Sequence, residues 1–339
     1  MQSSTRNIPF LLLIVGLISA CSSATPQATA TAYTPSSDED VLAEQIATWE
    51  AENTALASLP SATSPPPTAT FTPLPTDAPT LPPTATPGPD DWQAAPITPA
   101  SISERAMDIY LQGLAAGNNQ HAFAKVGDCG GTPSWFLGPF DGDAQYYNLG
   151  EYTYLSEMFP FYEGSFERTS VATNPGFNTA SVFAPLWADP NVCNADEGPL
   201  QCEYRLHNPS VVLIMLGTND QYKPEEFEAS MREIIEFSIA EGILPILGSK
   251  ADNLEGDGSI NSAIYQLALE YELPYWNFWR AVQGLPNNGL QEDEAHLTWA
   301  PNFFDQPRAL NAGWPQRNLT ALQALHAVFE AIPDELKSN

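Results

Sequence analysis

Positive charge is what this chain has least of. Twelve Lys and Arg stand against 41 Asp and Glu, a formal net charge of -29. Phosphate backbones repel such a surface, which argues against nucleic acid as a partner. Anionic lipid headgroups do not hold it by charge either. Histidine is scarce, with four in 339 residues. No His or Cys cluster shows metal-ligand spacing, so no metal and no cofactor is expected. Long hydrophobic runs are also missing. The apolar stretch from Ile8 to Ala20 is too short to cross a bilayer.

That stretch follows Arg6 and has the makeup of a signal h-region. It ends in "LISAC", a small residue directly before Cys21. This resembles the lipobox of bacterial lipoproteins. The resemblance implies that residues 1–20 are a signal peptide, that Cys21 becomes the lipidated N-terminus, and that the protein is extracytoplasmic. Its contact with the membrane would be the lipid anchor only. Disulfides persist in such a compartment. Cys193 and Cys202 bracket the polar loop "CNADEGPLQC", which a bridge would close, leaving Cys129 as an odd thiol. The alternative is that Cys129 pairs with one of those two.

Residues 21–99 are dominated by Thr, Pro, Ala and Ser. Such a composition buries too little apolar surface to offset its ordering entropy, and a lipid-anchored, disordered spacer is expected. One patch, "DEDVLAEQIATWEAENTALASL", has helical periodicity and is expected to be isolated and marginal. The globular domain is expected over 100–339. "SISE" reads as a capping box, Ser101 with Glu104, opening a helix to about Gly117.

Beyond that helix, strand-like and helix-like segments alternate. Strands are expected at 121–126, 165–172, 211–216, 243–249 and in "PYWNF". The unbroken run "VVLIML" fits a strand buried on both faces. Alternation of this kind implies an α/β fold, a parallel sheet with helices on both faces. Ligands of such sheets sit at the carboxyl ends of the strands.

Three polar motifs fall at those ends or in a late loop: "GDC" at 127–129, "GTND" at 217–220, and "DEAH" with Asp293 and His296. "NPGFN", with Gly176, lies between the first two. Singly, each has a plainer reading: a glycine turn with a buried thiol, an Asx turn opening a helix, a solvated acidic loop. Their order along the chain resembles the SGNH, or GDSL, hydrolase family over roughly residues 120–335. Gly127 and Asp128 match the start of its first block, Gly176 is the candidate second-block glycine, Gly217, Asn219 and Asp220 match the third block, and Asp293 and His296 the last. Cys129 departs from the pattern, standing where the family carries its nucleophilic serine.

The resemblance implies a three-layer α/β/α, flavodoxin-like fold with a parallel sheet of about five strands. It also implies hydrolysis of carboxylic (acyl) esters by a nucleophile-His-Asp set. Cys129 would be the nucleophile, His296 the base, and Asp293 the residue that holds the imidazole. The oxyanion would be held by the backbone N–H groups of Cys129 and Gly176 and the side-chain amide of Asn219. Cys129 is expected at a helix N-terminus, where a thiol's pKa falls. Against this, sulfur is larger than oxygen and its bonds are longer. Two alternatives remain beside the hydrolase: a catalytically impaired binding module and an acyltransferase. The expected partner is an acylated small molecule or glycan; the glycan rests on aromatics in "PSWFLGPFDGDAQYY" and "LTWAPNFF" that would line the cleft, with core and rim packing as their plainer reading. The long segment 130–164 is the expected substrate-selecting loop. His121, His207 and His326 are expected to be structural.

Overall fold

The computed structural model describes residues 38–57, 88, 91–142 and 144–337. The expected signal peptide, Cys21 and the spacer residues 58–87 lie outside these.

Four strands make the main sheet: β1 (Asn119–Gly127), β3 (Pro209–Met215), β4 (Leu244–Gly248) and β5 (Tyr275–Trp276). They lie in the order β1-β3-β4-β5, and every pair is parallel. Phe123 stands opposite Val211, and Val211 opposite Leu244. Every residue of β3 and β4 is buried. A central parallel strand covered by helices on both faces has that pattern, and the β-branched run "SVVLI" suits it. The crossovers are α4 (Pro199–His207), α5 (Pro224–Ala240) and α6 (Ser259–Glu270), with α3 (Glu104–Ala116) packed on β3 and β4 and the C-terminal α8 (Gly313–Ala331) on β5. The architecture is thus the expected α/β/α layering on a parallel sheet. The sheet has four strands rather than about five.

The missing strand is the expected one at 165–172. It survives as a single parallel bridge between Gly127 and Thr173. Its backbone groups are claimed by side chains instead of a ladder. Lys125 Nζ donates to Phe166 O at 2.8 Å, and Glu203 Oε2 accepts from Val171 N at 3.0 Å. Ser170 turns the chain by accepting from Ala172 N at 3.1 Å.

Lys125 is fully buried in β1, and desolvation, with Arg168 nearby, pushes its pKa down to about 7. In an unfolded chain it titrates near 10.4. Between those values the unfolded state binds the extra proton, so stability rises with pH. Unfolding at pH 9 should cost about 2 kcal/mol more than at pH 7 from this residue. The slope should vanish in Lys125→Met, measured by urea unfolding at the two pH values. An unchanged slope would show that Lys125 stays protonated in the fold.

Three boundaries differ from expectation. The cap of α3 is Ser103, whose Oγ accepts from Ala106 N at 3.0 Å, and not Ser101. The folded domain begins before residue 100. α2 (Asp91–Ala94) seats Trp92 edge-on to Trp279, with ring centroids 4.6 Å apart. Asn277 Nδ2 donates to Trp92 O at 2.6 Å and Ala95 O at 3.1 Å. Finally, the helical patch is not isolated. α1 (Asp38–Ala57) packs Ile46 and Trp49 on Phe303, Ala309 and Ala312. Trp49 meets Phe303 edge-on at 6.0 Å, and the Arg308 guanidinium lies 5.2 Å from the Trp49 ring. Docking of this apolar stripe supplies what the helix lacks alone.

Residues 130–164 form short 3-10 turns and β2 (Tyr147–Asn148), which pairs with β6 (Asn302–Phe303). Several of their aromatics are core, while Tyr154 is exposed. Phe136 and Phe140 are buried, and Phe140 packs on Tyr147 at 5.0 Å and Phe304 at 6.1 Å. Cys193 and Cys202 are bonded, and Cys129 is free.

Candidate active site

β1, β3 and β4 end together at one edge of the sheet, and a cavity of about 270 Å³ opens there. Cys129, Gly176, Asn219 and His296 all line it. Residues from four separate parts of the sequence converge on one pocket because parallel strands deliver all their carboxyl ends to the same side.

Each is held by a local device. Asp128 follows β1 and accepts from Gly130 N at 2.8 Å, closing a one-turn 3-10 helix at Cys129–Gly131. Gly217 sits at φ 134, where an added Cβ would lie 2.8 Å from Ile260 Cγ2, so only glycine serves this exit from β3. Asn219 follows in the 3-10 helix Thr218–Tyr222. Asp220 is buried and accepts from Thr179 N at 3.1 Å and Thr179 Oγ1 at 2.5 Å. This couples the Gly176 loop to the end of β3. Burial raises the Asp220 pKa, against the Thr179 bonds. Gly176 itself has φ 83. Among the described residues, the backbone N–H groups of Cys129 and Gly176 have no backbone acceptor.

His296 Nδ1 is 2.6 Å from Asp293 Oδ2. Asp293 also accepts from the backbone N–H groups of His296 at 3.0 Å and Ala295 at 3.1 Å. These bonds hold its carboxyl down at about 2. The Asp293 side is thereby an acceptor, which leaves Nε2 of His296 as the ring nitrogen free to work.

Two expectations need correction. Cys129 does not open a long helix; its turn has three residues, too short to carry a helix dipole. Its thiol pKa is raised, first by desolvation and then by the Asp128 carboxylate, with Arg317 opposing. No hydrogen bond joins its sulfur to His296 among the described residues. Asn219 is also partly committed, because its Nδ2 donates to Phe177 O at 2.9 Å. One amide hydrogen remains for the pocket.

Sequence reasoning missed the charges lining the rest of the pocket. Lys250 Nζ bonds Asp252 Oδ1 at 2.7 Å and Glu255 Oε2 at 2.5 Å, and Thr218 Oγ1 donates to Asp252 Oδ2 at 2.7 Å. Arg317, on the first turns of α8, reaches the pocket wall beside Gly130. The signal was a lone arginine in the apolar helix "GWPQRNLTALQALHAVFEA" of a chain poor in cations. Of the expected aromatic platforms none lines the pocket; Trp314 does instead. His121, His207 and His326 do not line it. His326, Glu157 and Glu330 form a His–carboxylate cluster elsewhere on the domain.

No family model matches the chain, and no curated protein matches it. Among solved structures, a GDSL-like lipase from Bacteroides thetaiotaomicron is similar at 16% identity, covering 67% of this chain and 100% of its own, with a TM-score of 0.39.

Proposed function

We propose that the protein is an SGNH/GDSL-like ester hydrolase, carried outside the cytoplasmic membrane on a lipidated Cys21, that cleaves acyl esters with Cys129 at the nucleophile position. One observation carries the reading. Cys129, Gly176, Asn219 and His296 line a single pocket, with His296 bonded to Asp293 at 2.6 Å.

The chemistry follows from that set. His296 Nε2 takes the proton of Cys129, and sulfur attacks the ester carbonyl. The developing oxyanion is met by the N–H groups of Cys129 and Gly176 and the free amide hydrogen of Asn219. The imidazolium, steadied by the Asp293 carboxylate, returns the proton to the departing alkoxide. Water, deprotonated by His296, then attacks the acyl thioester. The acid leaves and the thiol is restored. A sugar hydroxyl in place of water would make the same site an acyltransferase.

His296→Ala should lower hydrolysis of p-nitrophenyl acetate at least 100-fold, and Asp293→Asn by a smaller factor, since general acid–base catalysis contributes roughly 10²–10⁴. A rate unaffected by His296→Ala would place the chemistry elsewhere. A second reading, a binding module with a lapsed site, is favoured by one observation: the raised thiol pKa with no bond from sulfur to His296. Failure of both the natural chain and Cys129→Ser to hydrolyse any ester would select it.

A further inference from the structure

Arg317 has counter-charges, Asp128 and Asp252, but neither is in contact with it. Its guanidinium lies 5.1 Å from the Phe136 ring centroid, 5.4 Å from Phe278 and 5.8 Å from Trp314, in an apolar cage that opens on the pocket. Among the described residues it makes no ion pair. Its Nε is buried without a hydrogen-bond partner, and Nη2 has only the sulfur of Met215 at 3.3 Å. The pocket's buried cation, Lys250, is saturated by two carboxylates. Asp128 and Asp252 attract Arg317 only from a distance, and a half-buried cation with no carboxylate in contact favours a ligand that supplies one. A planar guanidinium fork is matched best by a carboxylate, taken bidentately.

We propose that the pocket is built for an ester that carries a free carboxylate, and that Arg317 binds that carboxylate. This rests on the pocket being the ester site, but the contact itself can be read without any hydrolysis. Gly130 links the two groups in space. A Cβ on Gly130 would stand 3.2 Å from Arg317 Nη2, so the guanidinium lies against the residue next to the nucleophile. A carboxylate held there belongs to a substrate whose acidic group is only a few bonds from the scissile carbonyl, such as a dicarboxylic half-ester or an ester of a hydroxy acid. Neutral acyl esters leave the guanidinium unmatched.

The experiment uses two alkylating agents of nearly the same size, anionic iodoacetate and neutral iodoacetamide. Both form a bond from the Cys129 sulfur to carbon and expel iodide. The ratio of their rates cancels the thiolate fraction, so a change in thiol pKa in a variant does not disturb it. In the native protein the iodoacetate to iodoacetamide ratio at Cys129 should exceed that of the urea-unfolded chain by about tenfold, the size of a screened charge contact at several ångströms. Arg317→Gln should bring it to or below the unfolded value, because Asp128 then repels the anion. Arg317→Lys should keep part of the preference. Propionate should protect native Cys129 from both agents, and chloride at equal ionic strength should not. Should Arg317→Gln fail to fold, the native ratio and the propionate protection still decide. A native ratio at or below the unfolded one, or protection equal with chloride, overturns the proposal. A raised ratio in a protein that hydrolyses no ester would keep the carboxylate site and reject the hydrolase.

Discussion

Cys129→Ser should raise the turnover of p-nitrophenyl acetate, by about 10- to 100-fold. The site does little to suit sulfur. A thiol is the better nucleophile only as thiolate, and here desolvation and the Asp128 carboxylate both hold the proton on. The turn at Cys129–Gly131 is too short to supply a dipole, and no hydrogen bond ties the sulfur to His296. The two backbone donors, by contrast, are fixed by Asp128 and by the Asp220–Thr179 bonds. Longer C–S bonds displace the tetrahedral oxygen from such fixed donors, and displacements near 1 Å cost on the order of 10²-fold. Serine needs no thiolate, because His296 takes its proton during attack. The natural chain should therefore be the slower enzyme. Its alkylation by iodoacetamide should keep rising with pH past the ordinary thiol range near 8.5, since a raised pKa moves the thiolate fraction to higher pH. A plateau below pH 8, together with a fall in turnover in Cys129→Ser, would identify a tuned thiolate instead.

The contrast between what could and could not be read from the chain has a physical basis. β3 and β4 were legible because a strand buried on both faces must be apolar throughout. The tips of β1 and β3 were legible for a different reason: Gly127 and Gly217 mark places where the backbone, and not the side chain, decides. The short range between Asp293 and His296 made their bond readable, since three residues on a turn bring the groups together without help from the fold. Arg317 was hidden because its role depends on the aromatic cage that Phe136, Phe278 and Trp314 build from three distant segments. Asn219 misled in detail, because its competitor for the amide, Phe177 O, lies 42 positions away. Ser101 and Ser103 are both plausible caps by composition; Ser103 is chosen by a tertiary bond, its Oγ donating to Glu272 O at 2.6 Å. The docking of α1 was unreadable for the same reason. An apolar stripe of Ile46 and Trp49 looks too weak to hold a helix until Phe303 and Arg308 are placed under it.

The lost strand leads to the largest stability effect expected outside the pocket. Glu203 on α4 is fully buried, pairs with Arg168, and accepts from Val171 N at 3.0 Å. It therefore replaces a strand ladder as the anchor of segment 165–173. Removing the buried member leaves Arg168, a quarter exposed, without its carboxylate, at a cost near the lower end of about 3–5 kcal/mol. Arg168 would also then lose its carboxylate partner beside Lys125 and His207, whose pKa values its charge already lowers. Glu203→Ala should lower the unfolding free energy by that amount, read by urea denaturation with tryptophan fluorescence. The double change Arg168→Met, Glu203→Leu should recover most of it, since an apolar pair of similar volume is often neutral. The effect should reach the pocket as well. Thr173 bridges to Gly127, and its Oγ1 donates to Lys125 O at 3.1 Å, three residues before Gly176. A loosened anchor should let the Gly176 N–H wander from the oxyanion position. Turnover should then fall under conditions where Glu203→Ala is still folded, while the iodoacetate preference at Cys129, set by Arg317 on a different element, should stay as it is. A Glu203→Ala protein within 1 kcal/mol of the natural chain would mean that the neighbouring turn, and not the ion pair, holds this edge of the sheet.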